Sequence, residues 1–314
     1  MQITIATDCS GIETPINALQ QLKINYTHLF SSEIDKYAKI TLLKNYNPQF
    51  FFNDMTNRDL SQITKPKLSQ ISTTLDLYIC GFPCQPFSNA GKNFGFGDKR
   101  GNIFLDCIDT INFLKPKFFI LENVKGLLKK KYWNNIYEKL LSTNYNIFYK
   151  VLNTKDFGIP QNRERLYIVG ILDKQINFSF PTFPTFRKTI PLLDYVDETD
   201  NTYYKTSSRQ EKILENLKIT KPNSVFIEFA FGCSTNRTFI NSDKECPCIT
   251  ANTRIWCVPK HRYANVKELS RLQGIKNIDF SHVSVTQAKR QIGNSMSVNV
   301  LKYLIKEILK AKIK

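Results

Sequence analysis

The segment from Cys80 to Ser88 combines two cysteines, two prolines and a glycine directly after an apolar run. It is Cys-Gly-Phe-Pro-Cys-Gln-Pro-Phe-Ser, and residues 75–79 before it predict a buried strand. In an open α/β sheet, the turn after a strand lies at the carboxyl edge, where chemistry is concentrated. A cysteine presented there can ionise and act as a nucleophile. Cys84 is therefore a candidate nucleophile, and the alternative is an ordinary buried thiol in a strand-to-loop turn.

Acidic residues follow three predicted strands near the amino terminus. Asp8-Cys9-Ser10-Gly11 follows the first strand, Glu33 closes the second, and Asp54 comes after the third. A small residue after the first strand lets backbone approach a ligand, and a carboxylate after the second commonly accepts hydrogen bonds from ribose hydroxyls. Asp54 is suited to accept one from an adenine amino group. Each acid singly fits a solvated loop better, but three in succession favour a nucleoside-bearing cofactor.

The first part of the chain alternates strand-like and helix-like segments. We predict strands at 3–7, 26–32, 50–52, 75–80, 118–121 and 166–172. Helices are predicted at 14–22, at a segment ending at 44, and at 103–113 and 133–141. This alternation predicts a largely parallel sheet covered on both faces, in a doubly wound, Rossmann-like α/β domain.

The pattern changes after about residue 178. Phe-Pro-Thr-Phe-Pro-Thr-Phe predicts an extended connector, because each proline biases the preceding residue away from helix. The chain is then irregular to about residue 265, whereas 286–314 carries apolar residues at helical spacing. We predict a catalytic domain of residues 1–180 plus 286–314, and a smaller irregular domain of residues 181–285.

The chain is strongly basic, with 44 Lys and Arg against 27 Asp and Glu and a net charge of +17 over 314 residues. This excess favours a polyanionic partner such as nucleic acid, although an AT-rich gene would also raise the lysine content. Of eight cysteines only Cys246 and Cys248 are closely spaced, and three histidines are scattered, so no zinc template is met. We expect reduced thiols and no metal.

Two further absences in the sequence bear on location. No apolar run approaches the ~18 residues that a membrane helix requires, and the amino terminus lacks a charged signal-peptide start. We therefore expect an intracellular protein with no membrane partner, cytoplasmic or nucleoid-associated, or inside the host cell if viral.

Five motifs resemble those of the cytosine-C5 DNA methyltransferases, in the family's order and over almost the whole chain. The nonapeptide around Cys84 resembles the nucleophile motif, and Glu122-Asn123-Val124 resembles the family's Glu-Asn-Val. Residues 161–165, Gln-Asn-Arg-Glu-Arg, match Gln-x-Arg-x-Arg. Residues 271–274 and 291–295 match the two closing motifs, the second of which opens the terminal helix and returns to the cofactor pocket.

The resemblance implies S-adenosylmethionine as the methyl donor and S-adenosylhomocysteine as the product. The family's cofactor motif usually reads Asp-Leu-Phe-x-Gly-x-Gly-Gly. In this chain Cys9 stands in place of the aromatic residue, and Glu13 and Thr14 replace the later glycines. The implied cofactor-binding residues are Asp8, Cys9, Ser10, Gly11, Glu33, Ile34, Asp54, Met55, Pro83, Asn102, Ile103, Asn294 and Ser295.

The resemblance also implies a covalent mechanism. Carbon 5 of cytosine is a poor nucleophile, and addition of the Cys84 thiolate to carbon 6 gives an enamine-like ring whose carbon 5 accepts the methyl group. Glu122 would protonate or hydrogen-bond N3 if burial raises its pKa. Arg163 and Arg165 would hold the base carbonyl or a nearby phosphate and favour the thiolate. A buried ion pair between Glu122 and Arg163 is the alternative.

Such chemistry requires the base to leave the duplex and enter a pocket. The loop after Cys84 suits a mobile lid, and a plain surface loop is the alternative. The residues that favour a lid are Gly91, Lys92, Gly95, Gly97, Lys99 and Arg100. The irregular domain is where the family keeps its target-recognition region, and Thr235-Asn236-Arg237 and residues 250–254 carry polar side chains capable of reading base edges.

We therefore expect a monomeric methyltransferase acting on double-stranded DNA. It would be either the partner of a cognate restriction endonuclease or a solitary enzyme. One alternative is a tRNA cytosine-5 methyltransferase, but that branch resembles Pro-Pro-Cys-Gln-Pro-Phe-Thr, and this chain has Phe82 and Ser88 instead. The other alternative is a catalytically silent DNA-binding homologue, because the cofactor motif departs from the family's.

Overall fold

The computed structural model describes residues 2–64, 75–83, 103–182, 190–229, 243–252 and 254–313. The chain divides into two compact units. The first unit comprises Met1–Leu152, Glu164–Pro181 and Val300–Lys314, and the second comprises Asn153–Arg163 and Thr182–Asn299.

The two units differ from the domains predicted from sequence at two segments. Residues 153–163 and 286–299 are predicted to belong to the catalytic domain, but they cluster with the second unit. Backbone bonds explain the first case, because Cys246 N donates to Pro160 O at 2.7 Å and Asn162 N to Cys246 O at 2.9 Å. In the second case, Val298 N donates to Gln273 O at 3.0 Å. The functional division into catalytic and target-recognition domains stays a prediction.

The described strands of the first unit form one seven-stranded sheet in the order β3-β2-β1-β4-β5-β7-β6. The strands are β1 (Gln2–Asp8), β2 (Asn25–Ser32), β3 (Phe50–Phe52), β4 (Leu77–Cys80), β5 (Phe118–Val124), β6 (Asn146–Asn153) and β7 (Glu164–Ile171). Strand β1 is parallel to β2 and β4, β2 is parallel to β3, and β4 is parallel to β5, whereas β7 is antiparallel to β5. The predicted doubly wound α/β sheet is confirmed, with an antiparallel strand towards one edge.

Helices of the first unit lie between these strands along the chain. They are α1 (Thr14–Leu22), α2 (Lys36–Asn45), α3 (Ser61–Thr64), α4 (Ile103–Leu114) and α5 (Lys130–Leu141). A hydrophobic core joins β4 and β5 to α4 and α5, and its fully buried members include Tyr78, Phe104, Phe119 and Ile136. Because the central strands are buried on both faces, their sequences are almost continuously apolar.

The second unit contains a three-stranded antiparallel sheet, β8 (Phe226–Glu228), β9 (Ile255–Cys257) and β10 (Arg262–Tyr263). Helix α6 (Ser208–Thr220) contributes Ile213 and Leu217 to a small core with Ile227 and Trp256. The sequence pattern predicts an irregular region here. Strands of two or three residues are too short to show a periodic pattern, which is why the sequence does not reveal them.

The remaining helices are α7 (Val266–Leu272), α8 (Val285–Asn294) and α9 (Val298–Ile313). The apolar residues that recur at helical spacing near the carboxyl terminus all lie in α9, as predicted. Residues 291–295, which are predicted to open that helix, instead form the end of α8, where the backbone at Ser295 is extended. Strand β6 is absent from the sequence prediction, since most of its residues are half-buried or exposed and give no apolar run. None of the described helices combines the length and apolarity needed to cross a membrane.

Candidate active site

Strands β4 and β5 bring the turn that precedes Cys84 next to Glu122. Their register is parallel, with Cys80 opposite Leu121, so both strands deliver their following residues to the same edge of the sheet. Asn123 Nδ2 donates a hydrogen bond to Phe82 O at 3.1 Å. The asparagine of the Glu-Asn-Val motif thus fixes the turn that leads to the candidate nucleophile. Cys84 itself, Asn102 and the lid residues lie outside the described residues.

Glu122 forms an ion pair with Arg165. The register between β5 and β7 places Val124 opposite Arg165 and Glu122 opposite Tyr167, so the two charged residues lie near each other at the carboxyl end of β5. Arg165 Nε is 3.3 Å from Glu122 Oε1, and both side chains are largely buried. A pair removed from water in this way interacts more strongly than a surface pair. The structure therefore pairs Glu122 with Arg165, the last residue of the Gln-x-Arg-x-Arg motif.

Arg163 donates to three backbone carbonyls of the second unit and to the sulfur of Cys248. Its Nη1 donates to Ile249 O at 2.6 Å and to Gly293 O at 3.3 Å, and its Nη2 donates to Ser295 O at 2.8 Å. Only 3% of the residue is exposed. The guanidinium therefore links residue 249 to the end of α8. The role at the base or a phosphate that the sequence predicts for Arg163 stays a prediction, and the observed contacts add an organising role within the second unit.

Gln161 organises the same part of the second unit, a role that the sequence interpretation did not assign. Its Nε2 donates to Leu272 O at 2.7 Å and to Gln273 Oε1 at 2.9 Å, and its Oε1 accepts from Ile249 N at 3.1 Å. The residue is fully buried. Gln161 and Arg163, the first and third residues of Gln-x-Arg-x-Arg, therefore make these contacts within the second unit. Arg165, the fifth residue, pairs with Glu122. The motif alone carries no signal that separates its two arginines, because they are the same residue type two positions apart.

The turn after β1 presents an open backbone at Gly11. Gly11 has φ +56°, and a Cβ built there would meet nothing within 4 Å. Gly11 N donates to Glu33 Oε2 at 2.7 Å, and Asp35 N donates to Glu33 Oε1 at 2.8 Å. Burial raises the pKa of Glu33, although these two backbone bonds oppose the shift. Next to it, 77% of Ile34 is exposed. An open glycine, a carboxylate and an exposed apolar side chain fit a nucleoside-bearing cofactor.

The side chains of Asp8 and Ser10 are engaged inside the protein. Asp8 is buried, forms an ion pair with Arg58, and accepts a hydrogen bond from the Tyr78 hydroxyl at 2.7 Å. Ser10 Oγ lies 2.8 Å from Thr7 Oγ1 and accepts from the backbone of Ser32. The sequence prediction places both residues in the cofactor site. Since their side chains hold the turn itself, only their backbones are available to a ligand.

Four sulfur-containing side chains lie near the turn after β1, those of Cys9, Met55, Cys80 and Cys107. Cys9 Sγ donates to Met55 Sδ at 3.7 Å, and Cys107 Sγ is 3.4 Å from Cys80 Sγ. The contact with the Cys80 thiol opposes a rise in the pKa of Cys9, but burial and neighbouring charges outweigh it, so the pKa is raised. Cys9 is therefore a protonated thiol in place of the family's aromatic residue.

The other residues implied in cofactor binding divide between the units. Asp54 Oδ1 accepts from Thr56 N at 2.9 Å at the start of a short 3-10 turn, and Pro83 and Ile103 are half-buried in the first unit. Asn294 is exposed and Ser295 is buried, and both belong to the second unit. Among the residues that the structure describes, no group of three or more His, Cys, Asp or Glu side chains is arranged to hold a metal ion.

A doubly wound sheet with an open glycine turn after β1 and a carboxylate after β2 is typical of enzymes that bind a nucleoside-bearing cofactor. Residues 7–310 match the family model described as C-5 cytosine-specific DNA methylase. The chain is 33% identical to the Type II methyltransferase M.HaeII of Haemophilus aegyptius over 283 residues, which cover 88% of this chain and 83% of that protein. It is also 33% identical to M.NgoBI of Neisseria gonorrhoeae over 285 residues, covering 89% and 85%.

Comparison with solved structures finds the same fold in a methyltransferase. The solved structure of the Entamoeba histolytica methyltransferase EhMeth matches with a TM-score of 0.75 at 19% identity, covering 100% of this chain and 99% of that one. The chain belongs to the C-5 cytosine-specific DNA methylase family. The predicted DNA (cytosine-5-)-methyltransferase is thereby confirmed. Membership implies S-adenosylmethionine as the methyl donor and DNA as the substrate.

Proposed function

We propose that this enzyme methylates a cytosine extruded from a specific double-stranded DNA sequence, with Cys84 as the nucleophile and the Glu122–Arg165 pair as the group that binds the base. The hydrogen bond from Asn123 to Phe82 carries this proposal. It ties the turn that leads to Cys84 to the strand that carries Glu122. A thiolate and a carboxyl group attached to one rigid edge can act on the same ring.

The chain's own residues divide the chemistry between them. The Cys84 sulfur forms a bond to carbon 6, and the electron pair of the C5–C6 double bond moves so that carbon 5 becomes nucleophilic. Glu122 donates a proton to N3 and neutralises the charge that develops on the ring, and the carboxylate that results is stabilised by the ion pair with Arg165. Arg165 holds the Glu122 carboxyl group in place and offers its remaining donors to the base carbonyl. Once carbon 5 carries the methyl group, its proton is lost to water, the C5–C6 double bond re-forms as the Cys84 thiolate departs, and N3 returns its proton to the Glu122 carboxylate.

The cofactor residues stay as proposed from the sequence, with one refinement from the structure. When bound, S-adenosylmethionine supplies an electrophilic methyl group. Within the first unit, the Gly11 backbone, the Glu33 carboxylate and the Ile34 side chain are suited to hold its nucleoside portion, because Gly11 is open, Ile34 is exposed and Glu33 lies against the Gly11 backbone. Asp8 and Ser10 would contribute backbone atoms only.

The target-recognition role of the second unit, a monomeric state and an intracellular location stay predictions. A cognate restriction endonuclease is supported only by the names of M.HaeII and M.NgoBI as Type II methyltransferases. The net charge of +17 supports binding to the phosphate backbone.

Covalent trapping tests the proposal directly. Bisulfite sequencing of DNA from cells that express the enzyme first defines the methylated sequence. A duplex carrying 5-fluorocytosine at that position, incubated with the enzyme and S-adenosylmethionine, should then give an adduct stable to denaturation. Cys84→Ser should abolish the adduct, and Cys248→Ser should retain it. An adduct with tRNA only, or an adduct that survives Cys84→Ser, would contradict the assignment.

A further inference from the structure

Glu13 is a buried carboxylate at the position where the family's cofactor motif has glycine. Its backbone has φ 56° and ψ 48°, the left-handed conformation that glycine adopts readily and other residues adopt at a cost. The residue is fully buried. We propose that Glu13 is a positioning residue. Its side chain holds the turn after β1, residues 9–13, in a backbone shape that the family's motif reaches with glycine at this position. This inference rests on the proposed cofactor site.

One oxygen of Glu13 joins the two strands that flank the turn. Glu13 Oε1 accepts hydrogen bonds from Thr7 Oγ1 and, at 2.6 Å, from Ser31 Oγ, and it lies 3.3 Å from His28 Nε2. Thr7 and Ser31 are directly opposite each other in the parallel register of β1 and β2. The carboxylate therefore bridges the ends of both strands, immediately before the segments that carry Gly11 and Glu33.

The turn itself has an unusual backbone that requires such support. Cys9, Gly11 and Glu13 all have positive φ, of 48°, 56° and 56°, and two of these three residues carry side chains. Glu13 N donates to Ser10 O at 2.9 Å, and Ser10 N donates to Ser32 O at 3.0 Å. A strained backbone of this kind persists only where surrounding interactions determine it. The buried bonds of Glu13 Oε1 supply those interactions.

Glu13 affects the proposed cofactor site through the backbone of Gly11. The shape of the turn sets the direction of Gly11 N, which donates to Glu33 Oε2 at 2.7 Å. Glu33 is the proposed acceptor for the ribose hydroxyls. If the turn relaxes, both the open backbone at Gly11 and the orientation of the Glu33 carboxylate change. Glu13 thus acts on cofactor binding without contacting the cofactor.

Binding of S-adenosylhomocysteine, measured by isothermal titration calorimetry, tests this role without any turnover. Glu13→Ala should raise the Kd at least about tenfold, whereas Glu13→Gln, which keeps an acceptor oxygen, should stay within about threefold of the wild type. Glu13→Gly relieves the backbone strain but removes the bridge, and it should still raise the Kd about fivefold. Gln20→Ala, an exposed change on the same helix, is the matched control.

A second set of variants separates positioning from a general loss of stability. Titrations are run at a temperature at which circular dichroism shows each variant fully folded. Ser31→Ala should weaken binding in the same direction, and its effect should not add to that of Glu13→Ala, because both changes remove one bridge. Affinity for duplex DNA should be unchanged in all variants.

The outcomes are distinguishable. Wild-type affinity in Glu13→Gly or Glu13→Ala would overturn the inference while leaving the proposed function intact. Failure of the wild-type enzyme to bind S-adenosylhomocysteine would overturn both the proposed cofactor site and the inference. If Glu13→Ala does not fold, Glu13→Gly and Ser31→Ala decide the question.

Discussion

Arg165 Nε lies 3.3 Å from Glu122 Oε1, across the antiparallel pair of strands β5 and β7. This contact joins the two motifs that the mechanism requires at the target base. It also separates the two arginines of the Gln-x-Arg-x-Arg motif, since Arg163 binds backbone carbonyls in the second unit. We therefore expect substitutions of Arg163 and of Arg165 to give different phenotypes.

Arg165→Lys should impair catalysis more than folding. Lysine keeps the charge but loses the planar fork that can hold a carboxyl group and a carbonyl together. We expect kcat to fall by about 10- to 100-fold, with the urea midpoint unchanged. Single-turnover kinetics on the cognate duplex measures the effect. Lys125→Ala is the control, because it breaks the neighbouring exposed pair with Glu164, which contributes little. Full kcat in Arg165→Lys would contradict the assigned role.

Arg163→Met should destabilise the second unit. The change leaves the carbonyls of Ile249, Gly293 and Ser295 without the guanidinium that binds them in a buried site. We expect the free energy of unfolding to fall by at least about 2 kcal/mol. Urea denaturation followed by tryptophan fluorescence reports this, because Trp256 lies in the same unit. A variant with wild-type stability and no activity would contradict this prediction and support the predicted catalytic role of Arg163.

Gly293→Ala should also be strongly destabilising, for a steric reason. A Cβ at this position would lie 2.2 Å from Thr250 O and 2.3 Å from Thr250 C, both backbone atoms that no rotamer change can move. We expect a loss of about 3 kcal/mol or more, measured by urea denaturation. Asn294→Ala, at the next and exposed position, should change the unfolding free energy by less than about 0.5 kcal/mol. Equal stability of the two variants would show that the Thr250 backbone moves to make room for the added Cβ, which would contradict the prediction.

Glu228 should make stability fall as the pH rises towards neutrality. Burial raises the pKa of Glu228 to about 7, whereas an unfolded glutamate titrates near about 4.3. Between these values the folded state binds more protons than the unfolded state, so each rise in pH favours unfolding. The contribution of Glu228 to the free energy of unfolding is therefore complete below about pH 4.3 and is lost as the pH passes about 7. Glu228→Gln should abolish this part of the slope.

The measurement for Glu228 is a difference between two proteins. Comparing urea unfolding of the wild type and of Glu228→Gln at about pH 5 and about pH 7.5 cancels the titration of all other groups. The wild type should lose stability relative to the variant over this interval. Parallel pH profiles for the two proteins would contradict the prediction.

The sequence alone determined the doubly wound sheet and the order of the motifs along its edge. Strands buried on both faces favour continuous apolar runs, and the runs of the central strands β4 and β5 are visible in the sequence. Residues that follow such strands lie at the carboxyl edge whatever the loops do, so the sequence is sufficient to place Gly11, Glu33 and Glu122 there. Helix α1 and strand β3 were predicted with their observed bounds.

Only the tertiary structure decided how the polar side chains are paired. Arg165 lies inside the antiparallel ladder of β5 and β7, opposite Val124, whereas Arg163 precedes that ladder and binds the second unit, so the choice between them depends on where β7 begins. The engagement of Asp8 by Arg58 and of Glu13 by Ser31 depends on contacts between segments distant in sequence. Composition and spacing describe neighbours along the chain, whereas hydrogen bonds and ion pairs are made between neighbours in space.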